Sequence, residues 1–165
     1  MTRGAAAALA LSAWMQGCAH VPEGADRLPV LDLPAVGPEP WRAEDAEGRV
    51  VVVMFIATWC FPCLSDLATL RVLQERYGAQ GVQVVVLGLD REGRKVLEPF
   101  AYSYKLPFPV LVADGWIRSG ESRFGKVHAV PQGIVFDRDG KIVSAWRGPL
   151  SAERLEGELR RVLQR

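Results

Sequence analysis

The sequence predicts an α/β fold: a central mixed β-sheet flanked by helices, with a short N-terminal β extension. Three observations predict it. An unbroken apolar run rich in β-branched residues, Val50–Ile56, is followed at once by Trp59-Cys60-Phe61-Pro62-Cys63 and then by apolar residues at helical spacing. A second apolar run at 82–89 follows a break at Gly78 and Gly81, so strand, helix and strand form one crossover unit of a parallel sheet. Near the end, apolar stretches at 133–137 and 142–146 flank Asp137-Arg138-Asp139-Gly140, a turn sequence that suits an antiparallel hairpin.

The elements follow in order. Residues 1–18 have an export pattern: Arg3 supplies a short positive start, 5–15 form an apolar, alanine-rich stretch, and Gly17 precedes Cys18. That stretch is too short to span a bilayer as a helix, which needs about 20 residues. A small residue before cysteine resembles a bacterial lipoprotein signal, in which Cys18 is lipidated and becomes the first mature residue. Residues 19–29, with Pro22, Gly24 and Pro29, read as a tether, and 30–165 as the folded domain. Short strands at 30–33 and near Trp41 are expected to form the N-terminal extension, as a hairpin.

Strand 50–56 and a helix over 62–77 come next, then strand 82–89. A helix covers part of 92–104, where Pro99 is expected to interrupt it or to start its second half. Pro107-Phe108-Pro109 leads into a strand at 110–112, and 118–124 reads as a short helix. After the hairpin, Ser151 is an apt N-cap for a last helix over 152–163, whose Leu155, Leu159 and Val162 share one face. Asp90, at a strand end, reads as a turn acid.

Twenty basic side chains face nineteen acidic ones for a net charge of +1, and the basic residues are dispersed, which argues against a nucleic-acid partner. Three cysteines divide into the Cys60/Cys63 pair and Cys18. A structural zinc site would show a second closely spaced ligand pair, and beside Cys18 only His20 and His128 remain.

The chemistry concentrates at the strand–helix junction. A helix N-terminus presents free N–H groups and the positive end of its dipole, which favours a thiolate. The thiolate is the reactive form in thiol–disulfide exchange, and a CxxC between strand and helix reads as a redox motif. The dipeptide Phe61-Pro62 offers no cation to stabilise a thiolate further. A potential nearer that of thioredoxin, about −270 mV, than that of DsbA, about −120 mV, is therefore expected. No cofactor is called for beyond the Cys60–Cys63 disulfide itself.

In these stretches the chain resembles the TlpA/ResA-type thiol–disulfide oxidoreductases, membrane-tethered members of the thioredoxin superfamily. The matching segments are VVVVMFIATWCFPC (50–63), YKLPFPVLV (104–112), VPQGIVFDRDGKIV (130–143) and 148–163. The resemblance implies a thioredoxin-like fold in which Cys60 is the exposed nucleophile and Cys63 resolves the mixed disulfide. It implies a cis Val130-Pro131 bond packed opposite the disulfide, with Val130 offering its backbone to an extended partner. It also implies an exported protein on the periplasmic face of a bacterial membrane. Such a protein reduces client protein disulfides, such as apocytochrome c haem-binding cysteines or copper-site cysteines. A membrane electron donor re-reduces it.

Three positions depart from that pattern. Many thioredoxins carry a buried aspartate where this chain has Met54. ResA-type members often have a glutamate where Asp66 stands, which keeps Asp66 as a candidate proton relay; an acid near a helix start, favoured there by the dipole, is an equally good reading. After the proline most relatives have threonine, and this chain has Gln132-Gly133. Trp59 reads as a packing residue beside the site. Two other functions fit the same residues: a copper-binding module using Cys60, Cys63 and His128, and a non-catalytic scaffold with an altered partner groove. A peroxidase fits less well, because two cysteines one turn apart replace a lone peroxidatic one.

Overall fold

The computed structural model describes residues 27–164. The expected signal segment, the Cys18 lipidation site and most of the tether lie outside the described residues.

Six strands form one mixed sheet: β1 (Ala35–Val36), β2 (Val50–Ile56), β3 (Val82–Gly88), β4 (Val110–Val112), β5 (Gln132–Phe136) and β6 (Ile142–Arg147), in the order β1-β4-β3-β2-β5-β6. Four α-helices accompany them: α1 (Phe61–Tyr77), α2 (Arg94–Ser103), α3 (Gly115–Ser119) and α4 (Ala152–Leu163). Strands β2, β3 and β4 run parallel, joined through α1 and α2, whereas β5 is antiparallel to both β2 and β6. Strand β2 sits at the centre and is wholly buried, which is what its run of β-branched residues requires.

The pleat of β2 divides the interior. Val50, Val52, Met54 and Ile56 face a core shared with Leu67, Leu70 and Leu73 of α1, Leu97 of α2 and Leu155 and Leu159 of α4. Val51, Val53 and Phe55 face a second core with Ile117, Phe124 and Phe136, in which Phe55 and Phe124 meet edge to face at 5.2 Å. Helix α1 therefore rests on the sheet along its length, and its first residue stands directly past the C-terminal end of β2.

Three expectations need correction. No hairpin forms at 30–33 and Trp41. Instead Ala35–Val36 adds an antiparallel edge to β4, and the Trp41 indole N–H donates to the Leu31 carbonyl at 2.8 Å. The apolar residues there anchor a loop on the second core rather than alternating as a strand.

Helix α2 runs straight through Pro99. The carbonyl that proline leaves without an amide belongs to exposed Lys95, where water can satisfy it. The short helix lies at Gly115–Ser119, three residues earlier than expected, because the Asp114 carboxylate caps it by accepting from the Ile117 amide at 2.9 Å. Arg160, in the last turn of α4, pairs with Glu156 and donates to the Tyr77 hydroxyl.

Candidate redox site

The site grows from the β2–α1 junction. After β2, residues 57–60 make a turn closed by the Cys60 amide donating to the Ala57 carbonyl at 2.9 Å. Cys60 is the N-cap of α1, and Pro62, in the first turn, occupies a position where no intrahelical N–H is needed. Cys60 and Cys63 are joined as a disulfide, with Cα atoms 5.3 Å apart. The Cys63 amide points at the Cys60 sulfur, 3.3 Å away. In the reduced protein that amide is ready to stabilise a Cys60 thiolate. No acidic side chain occupies the first turn of α1 to compete for the dipole.

Burial departs from expectation. The bonded Cys60 is 4% exposed and Cys63 is fully buried, so the nucleophile is nearly covered in the oxidised state. Its neighbours are the open ones: Trp59 is 76% exposed and Phe61 84%. Trp59 is thus not the packing residue expected from sequence; it projects from the turn while the cysteines sit beneath. Beside it, Ala57, Trp59, Leu89, Val127, His128, Ala129 and Val130 line a mostly apolar cleft of about 180 Å³. The Val130–Pro131 peptide bond is cis, and the Pro131 carbonyl accepts from the Gly148 amide at 2.8 Å.

Asp66 lies one helical turn beyond Cys63, on the same face of α1. It is 3% exposed; Oδ1 accepts from the Leu150 amide at 3.1 Å, and the buried Oδ2 has no protein partner. Burial pushes its carboxyl above the ordinary range, opposed by the Leu150 hydrogen bond. A buried carboxyl with a free oxygen near the buried resolving cysteine is suited to holding a proton. His128 is exposed on the cleft rim, and among the described residues no three His, Cys, Asp or Glu side chains converge as metal ligands.

The Gln132-Gly133 departure has a steric cause at its second residue. Gly133 pairs with Met54 on one side and Trp146 on the other, and a Cβ at Gly133 would overlap the Trp146 indole. Gln132 is buried, and its side-chain carbonyl has no partner among the described residues.

Sequence reasoning missed the part played by Asp90. Asp90 does open a turn, its carbonyl accepting from the Gly93 amide at 3.0 Å, but its side chain is only 4% exposed. The Thr58 amide donates to both of its carboxylate oxygens at 3.1 Å, and the Thr58 hydroxyl donates to Oδ1 at 2.6 Å. The available signal was an acid ending the strand that neighbours the CxxC strand.

Comparison with known proteins agrees with this geometry. Residues 25–145 match the AhpC/TSA family. The chain is 31% identical over 119 residues to the thiol-disulfide oxidoreductase ResA of Bacillus cereus, a match spanning 72% of this chain and 66% of that protein. A thiol-disulfide isomerase from Corynebacterium glutamicum superposes with a TM-score of 0.69 at 23% identity, covering 86% of this chain and 97% of the other. A thioredoxin-family thiol:disulfide interchange protein from Chlorobium tepidum superposes with a TM-score of 0.66 at 22% identity, covering 86% and 97%. The chain belongs to the AhpC/TSA family and has the thioredoxin-like fold of the thiol–disulfide proteins it resembles.

Proposed function

We propose that the protein is a thiol–disulfide oxidoreductase that reduces client protein disulfides outside the cytoplasm. The observation that carries this reading is the Cys60–Cys63 disulfide at the N-cap of α1, with the apolar Trp59–Val130 cleft beside it. The ResA relative, named for this activity, supports it.

In the reduced protein the Cys60 thiolate attacks one sulfur of a client disulfide. A Cys60–client bond forms, and the other client sulfur leaves as a thiolate that takes up a proton. Cys63 then loses its proton and attacks Cys60. The Cys60–Cys63 bond re-forms and the second client sulfur departs reduced. Two electrons pass to the client in each round, and a membrane electron donor restores the dithiol. Asp66 accepts the Cys63 proton, and Val130 aligns the extended client chain. The same placement fits the export pattern of residues 1–18, with Cys18 carrying the lipid that tethers the domain. Apocytochrome c and copper-site proteins are the client classes proposed.

Cys60→Ser should abolish reduction of a model disulfide protein such as insulin, and Cys63→Ser should trap a client as a mixed disulfide through Cys60. Unchanged turnover in Cys60→Ser, or no trapped adduct, would overturn the reading.

A further inference from the structure

We propose that Asp90 is a positioning residue of the redox site whose negative charge, fixed against Thr58, holds the Cys60–Cys63 pair on the reducing side. The inference rests on the dithiol–disulfide cycle proposed above.

The geometry is specific. Asp90 ends the segment after β3 and reaches back across 32 residues to the turn that carries Cys60. Among the described residues its side-chain hydrogen bonds all come from Thr58: the backbone amide on both oxygens and the hydroxyl on one. Thr58 is the second residue of the turn closed by the Cys60 amide and the Ala57 carbonyl. The two strand ends are also tied directly, the Leu89 amide donating to the Ile56 carbonyl at 2.9 Å. The carboxylate therefore fixes the segment from which Trp59 projects and on which Cys60 is carried.

No ion pair offsets its charge. Among the described residues every ion pair involves other carboxylates, so no cation neutralises Asp90. The side-chain hydrogen bonds it accepts among the described residues come from the Thr58 N–H and O–H. Thr58 stands two residues before Cys60, a chain span of at most about 7 Å, so the carboxylate is tied to the same short turn that carries Cys60. The disulfide is neutral and is indifferent to that charge. The reduced form places a thiolate on Cys60, and like charges repel most where water is scarce. Asp90 therefore opposes the stabilisation from the α1 N-terminus. It makes the dithiol give up its two electrons more readily.

The test is the equilibrium of the full chain with glutathione at pH 7. Two glutathione thiols reduce the Cys60–Cys63 bond, yielding the dithiol and glutathione disulfide. Asp90→Asn keeps a hydrogen-bond acceptor but removes the charge. It should move the equilibrium about tenfold toward the dithiol, equivalent to about 30 mV. Thr58→Val keeps the charge but removes one dipole that solvates it, so the equilibrium should stay within about twofold of the parent or move toward the disulfide.

Loosening of the turn alone would move both variants in one direction, and that result would overturn the proposal, as would an unshifted Asp90→Asn. If Asp90→Asn does not fold, Thr58→Val decides by itself: a shift toward the dithiol overturns the proposal and its absence supports it. A parent protein that fails to equilibrate with glutathione at all would instead remove the redox reading, and this inference with it.

Discussion

At its C-terminal end helix α1 is held by a closed set of polar contacts. The Tyr77 hydroxyl donates to Glu156 at 2.7 Å and accepts from Arg160 at 2.9 Å, while Arg76 and Arg160 both pair with Glu156. At its N-terminal end the same helix is capped by sulfur, carries a proline in its first turn, and buries Asp66 with one oxygen unpartnered among the described residues. The contrast extends to protonation. Hydrogen bonds from Tyr77, Arg76 and Arg160 hold Glu156 down at about 2, whereas burial raises Asp66. One end of the helix is satisfied and serves as an anchor. The other carries unsatisfied groups beside the Cys60–Cys63 disulfide, where the proposed cycle exchanges a proton and two electrons. Stability and reactivity are thus assigned to opposite ends of a single helix.

Four substitutions sharpen or break that contrast. The largest effect belongs to Cys60→Ser, which should reduce turnover of a disulfide substrate to background while leaving thermal unfolding at the Tyr77 end intact. Next is Gly133→Ala. The added methyl meets the rigid ring of half-buried Trp146 rather than a flexible chain end, so denaturant titration should show a loss of about 1–3 kcal/mol.

Asp66→Asn should act in two directions at once. A carboxyl whose folded pKa lies above its unfolded value binds its proton more tightly when folded. Its contribution to stability therefore falls as pH rises from the unfolded value, 3.8, through the raised one. The neutral amide escapes that loss. Asp66→Asn should melt higher than the parent at pH 7, with the difference vanishing below about pH 4, and should resolve mixed disulfides more slowly. A lower melting point at pH 7 would show the N-terminal end to be as well satisfied as the other.

Glu156→Gln should have the smallest effect and the opposite pH signature. A depressed carboxylate contributes stability above its unfolded value of 4.5, and that contribution is lost as pH falls toward about 2. The variant should melt slightly lower than the parent at pH 7 and equal it near pH 2, with turnover unchanged.

What was legible in the sequence was local. Val50–Ile56, the start of α1 at the CxxC motif, the Asp137–Gly140 turn and the Ser151 cap all rest on residues within one turn or one strand of each other, and each appears where its pattern predicts. The family resemblance rested on those segments too. What was not legible depends on distant partners. Asp66 is made a buried carboxyl by Leu150, 84 residues away, and Asp90 becomes a clamp only because β3 ends beside the turn that holds Thr58. The two-residue strand β1 is defined by its pairing with β4 and has no pattern of its own. Gly133 read as a departure in the partner groove, and only the packed structure shows that Trp146 fills the space.

The central claim is that Cys60 and Cys63 form the redox-active pair of a reductant. It is tested most directly by the reduction potential of that pair in the full chain at pH 7. The account predicts a value near that of thioredoxin, about −270 mV. A value near that of DsbA, about −120 mV, would contradict it and assign the protein to making disulfides rather than breaking them.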